Sequence, residues 1–179
     1  RGGIVFCSKT PLPTELYLLS LPDALPSWAL IDQGETGLVA SSHVSDDQKK
    51  AADAILSAVG QTVWLDNEGL IDAVTGVSGS GPAYVFYFME AMQQAAIELG
   101  LTAEQGIALA TQTFLGAANL ALQSTDSVAV LREKGTSKGG TTYAALTTLD
   151  QQGVKDGIIA AVKAAAARGK ELGEEFGKN

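Results

Sequence analysis

The residues best suited to chemistry form a run of hydroxyls and glycines in the C-terminal half of the chain. Residues 136–142 read Thr-Ser-Lys-Gly-Gly-Thr-Thr and lead directly into a helical pattern. The first turn of a helix has backbone N–H groups without intrahelical acceptors, and glycines let a ligand approach the backbone. The run, called the 136–142 motif below, therefore suits a bound carboxylate or phosphate. The simpler interpretation, a Ser/Thr helix cap after a flexible turn, stays open from the pattern alone.

A second glycine-containing run, Ser-Gly-Ser-Gly-Pro at residues 78–82, has a spacing that suggests a phosphate loop. A P-loop ends in Gly-Lys-Ser/Thr, and a dinucleotide fingerprint has Gly-x-Gly-x-x-Gly after a strand. Neither pattern is present here. We therefore interpret this run as a helix start, in which Ser80 and Gly81 supply the cap and Pro82 occupies the first helical position.

Side chains that bind metals or act as general bases are scarce. The chain has one cysteine, Cys7, and one histidine, His43. This inventory excludes a disulfide framework, a Cys/His zinc site and most histidine-based triads, and we predict no metal site. His43 lies in a serine-rich loop without another ligand at metal-binding spacing, so we predict that it is solvated.

Composition excludes further classes of function. Hydrophobic residues make up 46% of the 179 residues, so the chain can bury a core. Twelve Lys and Arg against twenty Asp and Glu give a formal charge of −8, which disfavours binding to nucleic acid or to an anionic membrane surface. We predict neither a membrane helix, which needs roughly 20 apolar residues, nor a signal peptide. The cysteine content indicates a reduced, cytoplasmic location.

The elements before residue 67 have the pattern of an α/β sheet domain. Residues 36–40 and 61–66 are predicted strands. Between them, a capping box formed by Ser45 and Gln48 opens a helix that stops at Gly60. The apolar face of this helix is predicted to consist of Ala51, Ala54, Ile55 and Ala58. Strand, helix and strand in this order are typical of the end of an α/β sheet.

After residue 67 the chain is predicted to be helical. Thr102 and Gln105 form a second capping box, and Asp126 is the predicted cap of the short helix that follows. Small residues on the helix faces predict a tight bundle, with the last helix either at its centre or in a subunit interface. The predicted helices cover about residues 82–99, 103–123, 127–133, 142–152 and 154–176.

Residues 1–28 show neither a helical nor a strand period. Four of the five prolines lie between residues 11 and 26, and each removes a backbone donor. The chain begins with Arg rather than Met, which suggests a fragment. We therefore predict an irregular segment at residues 1–28, a strand–helix–strand segment at 29–66 and an all-helical domain at 67–179.

Two runs resemble pyrroline-5-carboxylate reductases. Residues 70–84, Leu-Ile-Asp-Ala-Val-Thr-Gly-Val-Ser-Gly-Ser-Gly-Pro-Ala-Tyr, are similar to the start of that family's helical domain. Residues 136–146, followed by Leu149 and Asp150, resemble the family signature. Both runs occur in the family's order, and the resemblance extends over about residues 29–176. It implies a mainly α fold, in which a helical-bundle dimerisation domain is preceded by a truncated α/β (Rossmann) remnant.

The resemblance also implies a function and a site. Members of the family reduce 1-pyrroline-5-carboxylate to L-proline with NADPH or NADH, and their helical domains interlock in homodimers or larger homo-oligomers. The implied carboxylate site consists of backbone N–H groups around Gly139, Gly140, Thr141 and Thr142 with the Ser137 hydroxyl. Thr142 is the implied catalytic residue, because its hydroxyl would hydrogen-bond the imine nitrogen and help to deliver a proton.

The sequence departs from the family pattern at three places. The nucleotide fingerprint is absent, Leu-Pro-Ser-Trp at residues 25–28 replaces the family's Met-Pro-Asn-Thr-Pro, and Gly135 replaces an aliphatic residue. We therefore expect a fragment with impaired cofactor binding and assign no cofactor-binding residue. Two alternatives stay open: a noncatalytic helical homodimerisation module, and another NAD(P)-dependent dehydrogenase with a related helical domain.

Overall fold

The computed structural model describes residues 4–7, 16–19 and 34–176. Within these residues, two short 3₁₀ turns occur at Ser57–Val59 and Glu68–Leu70, and a π-helical turn occurs at Thr75–Gly79. The strands are β1 (Ile4–Cys7), β2 (Leu16–Leu19), β3 (Gly34–Val39) and β4 (Gly60–Leu65). The helices are α1 (Asp46–Leu56), α2 (Ile71–Val74), α3 (Gly81–Glu98), α4 (Ala103–Gln123), α5 (Val128–Lys134), α6 (Thr141–Gln151) and α7 (Val154–Phe176).

The four described strands form one sheet in the order β2-β1-β3-β4. β1 is antiparallel to β2 and parallel to β3, and β3 is parallel to β4 with Gly34 opposite Gly60 and Val39 opposite Leu65. A parallel pair needs a crossover connection, and α1 is the crossover between β3 and β4. Leu38 in β3 is only 2% exposed, so the core of this part of the molecule lies on the strand that has a neighbour on each side.

β1 and β2 lie in the segment 1–28, where the sequence pattern predicted no regular structure. Their apolar quartets, Ile-Val-Phe-Cys and Leu-Tyr-Leu-Leu, show no apolar–polar alternation. A run this short cannot reveal a strand by its period, and pairing with neighbouring strands decides its conformation. The remainder of residues 1–28 lies outside the described residues.

The predicted capping box at the start of α1 is confirmed. The Ser45 hydroxyl accepts a hydrogen bond from the Gln48 backbone N–H at 3.3 Å, and the Gln48 side chain accepts one from the Ser45 N–H at 2.8 Å. The prediction that Ala51, Ala54, Ile55 and Ala58 form the packing face is wrong. All four residues are exposed, and Ile55 is 65% exposed.

Hydrogen bonds join α1 to β4 instead. The Asp53 carboxylate accepts hydrogen bonds from the Thr62 hydroxyl at 2.8 Å and from the Trp64 indole N–H at 3.1 Å. The ammonium of Lys49 lies 6.0 Å from the centre of the Trp64 ring. Ala52 and Leu56 of α1 are also half-buried, so these contacts add to apolar packing.

The chain divides into two compact units. One contains the residues up to Ser80 and those from Val162 onward, and the other is Gly81–Ala161. In the first unit, Gly76 of the π-helical turn is buried against α7, since a Cβ there would lie 2.8 Å from the Val162 carbonyl oxygen. Only glycine allows the two helical segments to approach this closely.

In the second unit, α3 and α4 pack against each other and are joined by a short turn. The predicted capping box at Thr102 and Gln105 is confirmed, with hydrogen bonds of 3.2 Å and 2.9 Å. A Cβ at Gly106 would lie 3.0 Å from the Ala96 methyl group, and Ala110 is only 1% exposed. Small residues therefore set the α3–α4 distance, as the sequence indicated.

Two predicted caps are wrong. Ser127, not Asp126, caps α5, because its hydroxyl accepts the Val130 N–H at 3.4 Å. Ser80 has helical backbone angles and its N–H donates to the Thr75 carbonyl at 2.9 Å, so it is not an N-cap, which requires extended backbone. The preceding π-helical turn thus already supplies an acceptor for the Ser80 N–H.

The prediction of a mainly helical chain after an α/β segment is confirmed. The tight bundle is not complete within Gly81–Ala161, where extensive packing joins α3 to α4 while many apolar side chains on the other faces stay exposed. In the part of the chain that the structure describes, no helix combines the length and apolar character required to cross a bilayer.

Candidate functional site

The 136–142 motif forms the connection between α5 and α6 and the first residues of α6. Gly140 is the N-cap residue of α6, and no side chain hydrogen-bonds to the helix start. The first helical hydrogen bond runs from the Ala144 N–H to the Gly140 carbonyl oxygen at 3.1 Å. The N–H groups of Thr141, Thr142 and Tyr143 therefore precede the hydrogen-bond ladder and are left for another acceptor.

The loop before α6 depends on two glycines. Gly139 has φ +73°, a left-handed conformation that glycine adopts without strain. The Gly140 N–H donates to the Ser137 carbonyl at 3.1 Å and closes a tight turn. A Cβ at Gly140 would collide with the Ser137 hydroxyl oxygen. The turn therefore places the Ser137 hydroxyl directly beside the start of α6.

The threonine hydroxyls of α6 differ in availability. Thr147 and Thr148 donate to the carbonyls of Tyr143 and Ala144 at 2.8 Å and 3.1 Å, four residues earlier in the same helix. Thr142 has no helical carbonyl four residues before it, and within residues 34–176 its exposed hydroxyl has no hydrogen-bond partner. The hydroxyl is thus available to a ligand at the helix start.

The other end of the loop is held by α5. The Thr136 hydroxyl donates to the Arg132 carbonyl at 2.6 Å, and the Gly135 N–H donates to the Leu131 carbonyl at 3.1 Å. Gly135 has φ −81°, and a Cβ there would come no closer than 3.6 Å to a neighbouring atom. The conformation therefore does not require glycine at this departure from the family pattern.

The five residues predicted for the substrate site consequently lie in one continuous turn and helix start. Ser137 contacts Gly140, Gly139 provides the left-handed residue, and Thr141 and Thr142 form the first turn of α6. The motif also contains a positive charge, because Lys138 is exposed and forms no ion pair with a described residue. An anion with a hydrogen-bonding group beside it matches this arrangement.

The run at residues 78–82 is not a second anion site. It continues a helical stretch from α2 through the π-helical turn into α3, and the Ser80 N–H is already used. The sequence pattern did not predict the π-helical turn, and the signal that could have found it is the density of glycine and hydroxyl residues around it. Such turns commonly serve close packing or function.

The described residues do not fit a dinucleotide pyrophosphate. That group needs a glycine-rich turn from a strand into an open helix N-terminus. The turn from β3 into α1 has no such glycines, and the Ser45 hydroxyl already caps the helix. Asp46 and Asp47 in the first turn of α1 would repel the phosphates. The cofactor-binding residues remain unassigned.

A protein-family model and a curated relative both match this chain. The family model described as pyrroline-5-carboxylate reductase dimerisation matches residues 68–172, more than half of the chain. A pyrroline-5-carboxylate reductase of Pseudomonas aeruginosa is 47% identical over 150 residues, which cover 84% of this chain and 55% of the relative. The chain thus spans about half the length of this curated relative.

Two solved structures have the same fold over most of the chain. A pyrroline-5-carboxylate reductase from Coxiella burnetii has a TM-score of 0.77 and 46% identity, over 79% of this chain and 53% of the other. A Plasmodium falciparum pyrroline carboxylate reductase with NADP bound has a TM-score of 0.75 and 29% identity, over 82% of this chain and 60% of the other. Sequence, fold and family model agree, and the chain belongs to the pyrroline-5-carboxylate reductase family, whose dimerisation domain it contains.

Proposed function

We propose that the chain supplies the substrate-binding helical domain of a reductase that converts 1-pyrroline-5-carboxylate to L-proline with NADPH or NADH. The observation that carries this proposal is the uncapped start of α6. Gly139 and Gly140 open the backbone there, and free N–H and hydroxyl donors follow within the family-matched residues.

The Gly140 N–H, also predicted to bind the substrate carboxylate, already donates to the Ser137 carbonyl oxygen. The carboxylate is therefore proposed to bind the N–H groups of Gly139, Thr141 and Thr142. These groups are joined by the Ser137 hydroxyl, which the tight turn holds against Gly140. Backbone donors at a helix start combine directed hydrogen bonds with the positive end of the helix dipole. The site therefore favours an anion.

Thr142 is proposed to hydrogen-bond the ring nitrogen. When the imine carbon is reduced, the nitrogen becomes more basic and takes up a proton, and a hydroxyl held beside it can pass one on. The free Thr142 hydroxyl lies one residue from Thr141 in the first helical turn, so one small ring can contact both the amides and the hydroxyl. The proposed part of these residues is to bind and orient the ring.

A second copy of the chain is proposed as the partner of this domain. α4 is apolar on three sides, although only the side carrying Gly106 and Ala110 packs against α3. Leu109 and Leu120 lie on a second side, and Leu122, 84% exposed, lies on a third. A helix with more than one apolar side is normally buried on each of them, which an interlocked homodimer achieves.

The absence of a pyrophosphate site from the described residues favours one alternative, a noncatalytic homodimerisation module. We further propose that the 179-residue chain binds NADPH poorly. Another dehydrogenase with a related helical domain would use a different small acid. The ligand that binds the 136–142 motif distinguishes the proposed reductase from these two alternatives.

The test is an NMR titration of the ¹⁵N-labelled 179-residue chain. L-proline is expected to shift the amide signals of residues 139–143, while pyrrolidine, which lacks the carboxylate, leaves them unchanged. Shifts confined to other residues would contradict the site, and preferential binding of 3-hydroxybutyrate would favour another dehydrogenase. In a parallel titration, micromolar affinity for NADPH would contradict the impaired cofactor binding alone.

A further inference from the structure

We propose that the ion pair between Lys134 and Asp126 is a positioning device that holds the 136–142 motif in its ligand-binding conformation. The Lys134 ammonium lies 2.5 Å from the Asp126 carboxylate, and the two residues are eight positions apart. The pair joins the residue before the cap of α5 to the last residue of α5. The motif begins two residues after Lys134.

The acidic end of this pair is fixed to α4. The Asp126 N–H donates to the Ser124 hydroxyl at 3.1 Å, and the Ser124 N–H donates to the Leu120 carbonyl at 3.0 Å. α4 is 21 residues long and packs against α3 within the same unit. The Asp126 carboxylate is therefore attached to a long, supported helix, and its side chain is only 35% exposed.

The basic end leads directly into the motif. After Lys134, the Gly135 N–H and the Thr136 hydroxyl bond back to the carbonyls of Leu131 and Arg132. The next hydrogen-bonded turn is the one that Ser137 forms with Gly140. A connected path thus runs from the end of α4, through the ion pair, to the turn that precedes the start of α6.

Most exposed ion pairs contribute little, because water and salt screen the attraction and the two long side chains lose conformational freedom when they pair. That description fits the pair of Lys50 with Asp47, three residues apart within α1. The Lys134–Asp126 pair differs because α5 has seven residues, too few to be stable through its own hydrogen bonds. The charges also match the dipole of α5, with Asp126 before its start and Lys134 in its last turn.

The experiment compares Lys134→Met with Lys134→Arg, which keeps the charge, and with Lys50→Met as the matched loss of another ion pair. The first readout is the exchange rate of the Gly135, Thr136 and Gly140 amides with water, measured by NMR without ligand. The second is the affinity of the 179-residue chain for L-proline. This second readout rests on the proposed function, whereas the first does not.

Lys134→Met is expected to raise amide exchange at Gly140 and to weaken proline binding, each by about threefold to fivefold, the upper range for a partly exposed pair. Lys134→Arg and Lys50→Met are expected to behave like the unchanged chain. Because screening weakens exposed pairs, 1 M NaCl should reproduce the effect of Lys134→Met in the unchanged chain.

An unchanged Gly140 exchange rate in Lys134→Met overturns the positioning role, whatever proline does. Faster exchange confined to residues of α5 also overturns it, since the pair would then support only that helix. If Gly140 exchange rises but proline does not bind the unchanged chain, the positioning role stands and the proposed ligand is wrong. The positioning role would also be overturned if Lys134→Met and Lys50→Met changed Gly140 exchange and proline affinity equally.

Discussion

Two adjacent glycines in the 136–142 motif serve different purposes. Gly139 supplies a left-handed backbone, and Gly140 leaves space for the Ser137 hydroxyl. A side chain at the first position would strain the turn, whereas one at the second would displace the hydroxyl. At the residue scale, the site is therefore shaped by absent side chains as much as by the donors around them.

Thr142→Ala tests the proposed hydroxyl contact. We expect the affinity of the chain for L-proline to fall about tenfold, the loss expected for one hydrogen bond to a charged nitrogen. The control is Thr148→Ala in the same helix, because that hydroxyl is already bonded to the Ala144 carbonyl. Calorimetric titration measures both affinities, and equal values for the two variants would remove Thr142 from the site.

At the scale of elements, hydrogen bonds from one carboxylate join α1 to β4. Asp53 receives two donors from β4, the Thr62 hydroxyl and the Trp64 indole N–H. A carboxylate that accepts bonds from two side chains of one strand fixes both the position and the rotation of the helix above it. The exposure of Ala51, Ala54 and Ile55 on the opposite side of α1 follows from this rotation.

Asp53→Ala is expected to lower the free energy of unfolding by about 1–2 kcal/mol, because it leaves the part-buried Thr62 hydroxyl and the exposed Trp64 indole N–H without their acceptor. Asp47→Ala is the matched control, since its carboxylate is almost fully exposed and pairs with Lys50 at 3.7 Å. Urea unfolding followed by circular dichroism measures both. A loss in Asp53→Ala no larger than that in Asp47→Ala would show that packing, not these hydrogen bonds, holds α1.

At the scale of the whole molecule, the described residues bury few large apolar side chains. Leu38 and Ile71 are buried in the first unit, whereas Leu109, Leu115 and Leu120 on α4 are each more than half exposed. Burying one such leucine is worth roughly 1.5–3 kcal/mol, so leaving this many in water is costly. The proposed second copy removes that cost.

Leu120→Glu tests the proposed homodimer. We expect the unchanged chain to have about twice its 18.4 kDa mass in sedimentation equilibrium, and Leu120→Glu to dissociate or unfold because a buried carboxylate would lack a partner. Asn119→Glu adds the same side chain at the next position, on the polar side of α4, and should remain dimeric. A folded monomer of the unchanged chain would contradict the proposal.

Local patterns in the sequence predicted many of the helix boundaries and the turn in which the candidate site lies. The capping boxes at Ser45 and Thr102, the extent of α4 and the turn before α6 agree with the structure. Caps, turns and glycine conformations depend on atoms within about four residues, so the sequence contains their whole cause. The chemical roles of Ser137 and Thr142 stay predictions.

The tertiary structure alone decided features that depend on distant residues. It placed β1 and β2 in the sheet, turned Asp53 of α1 toward β4, and gave Asp126 an ion pair with Lys134 instead of a cap. In each case a partner outside the local window offered a hydrogen bond or a charge that outweighed the local preference. Periodicity shows which residues share a face of a helix, but only packing shows which face is covered.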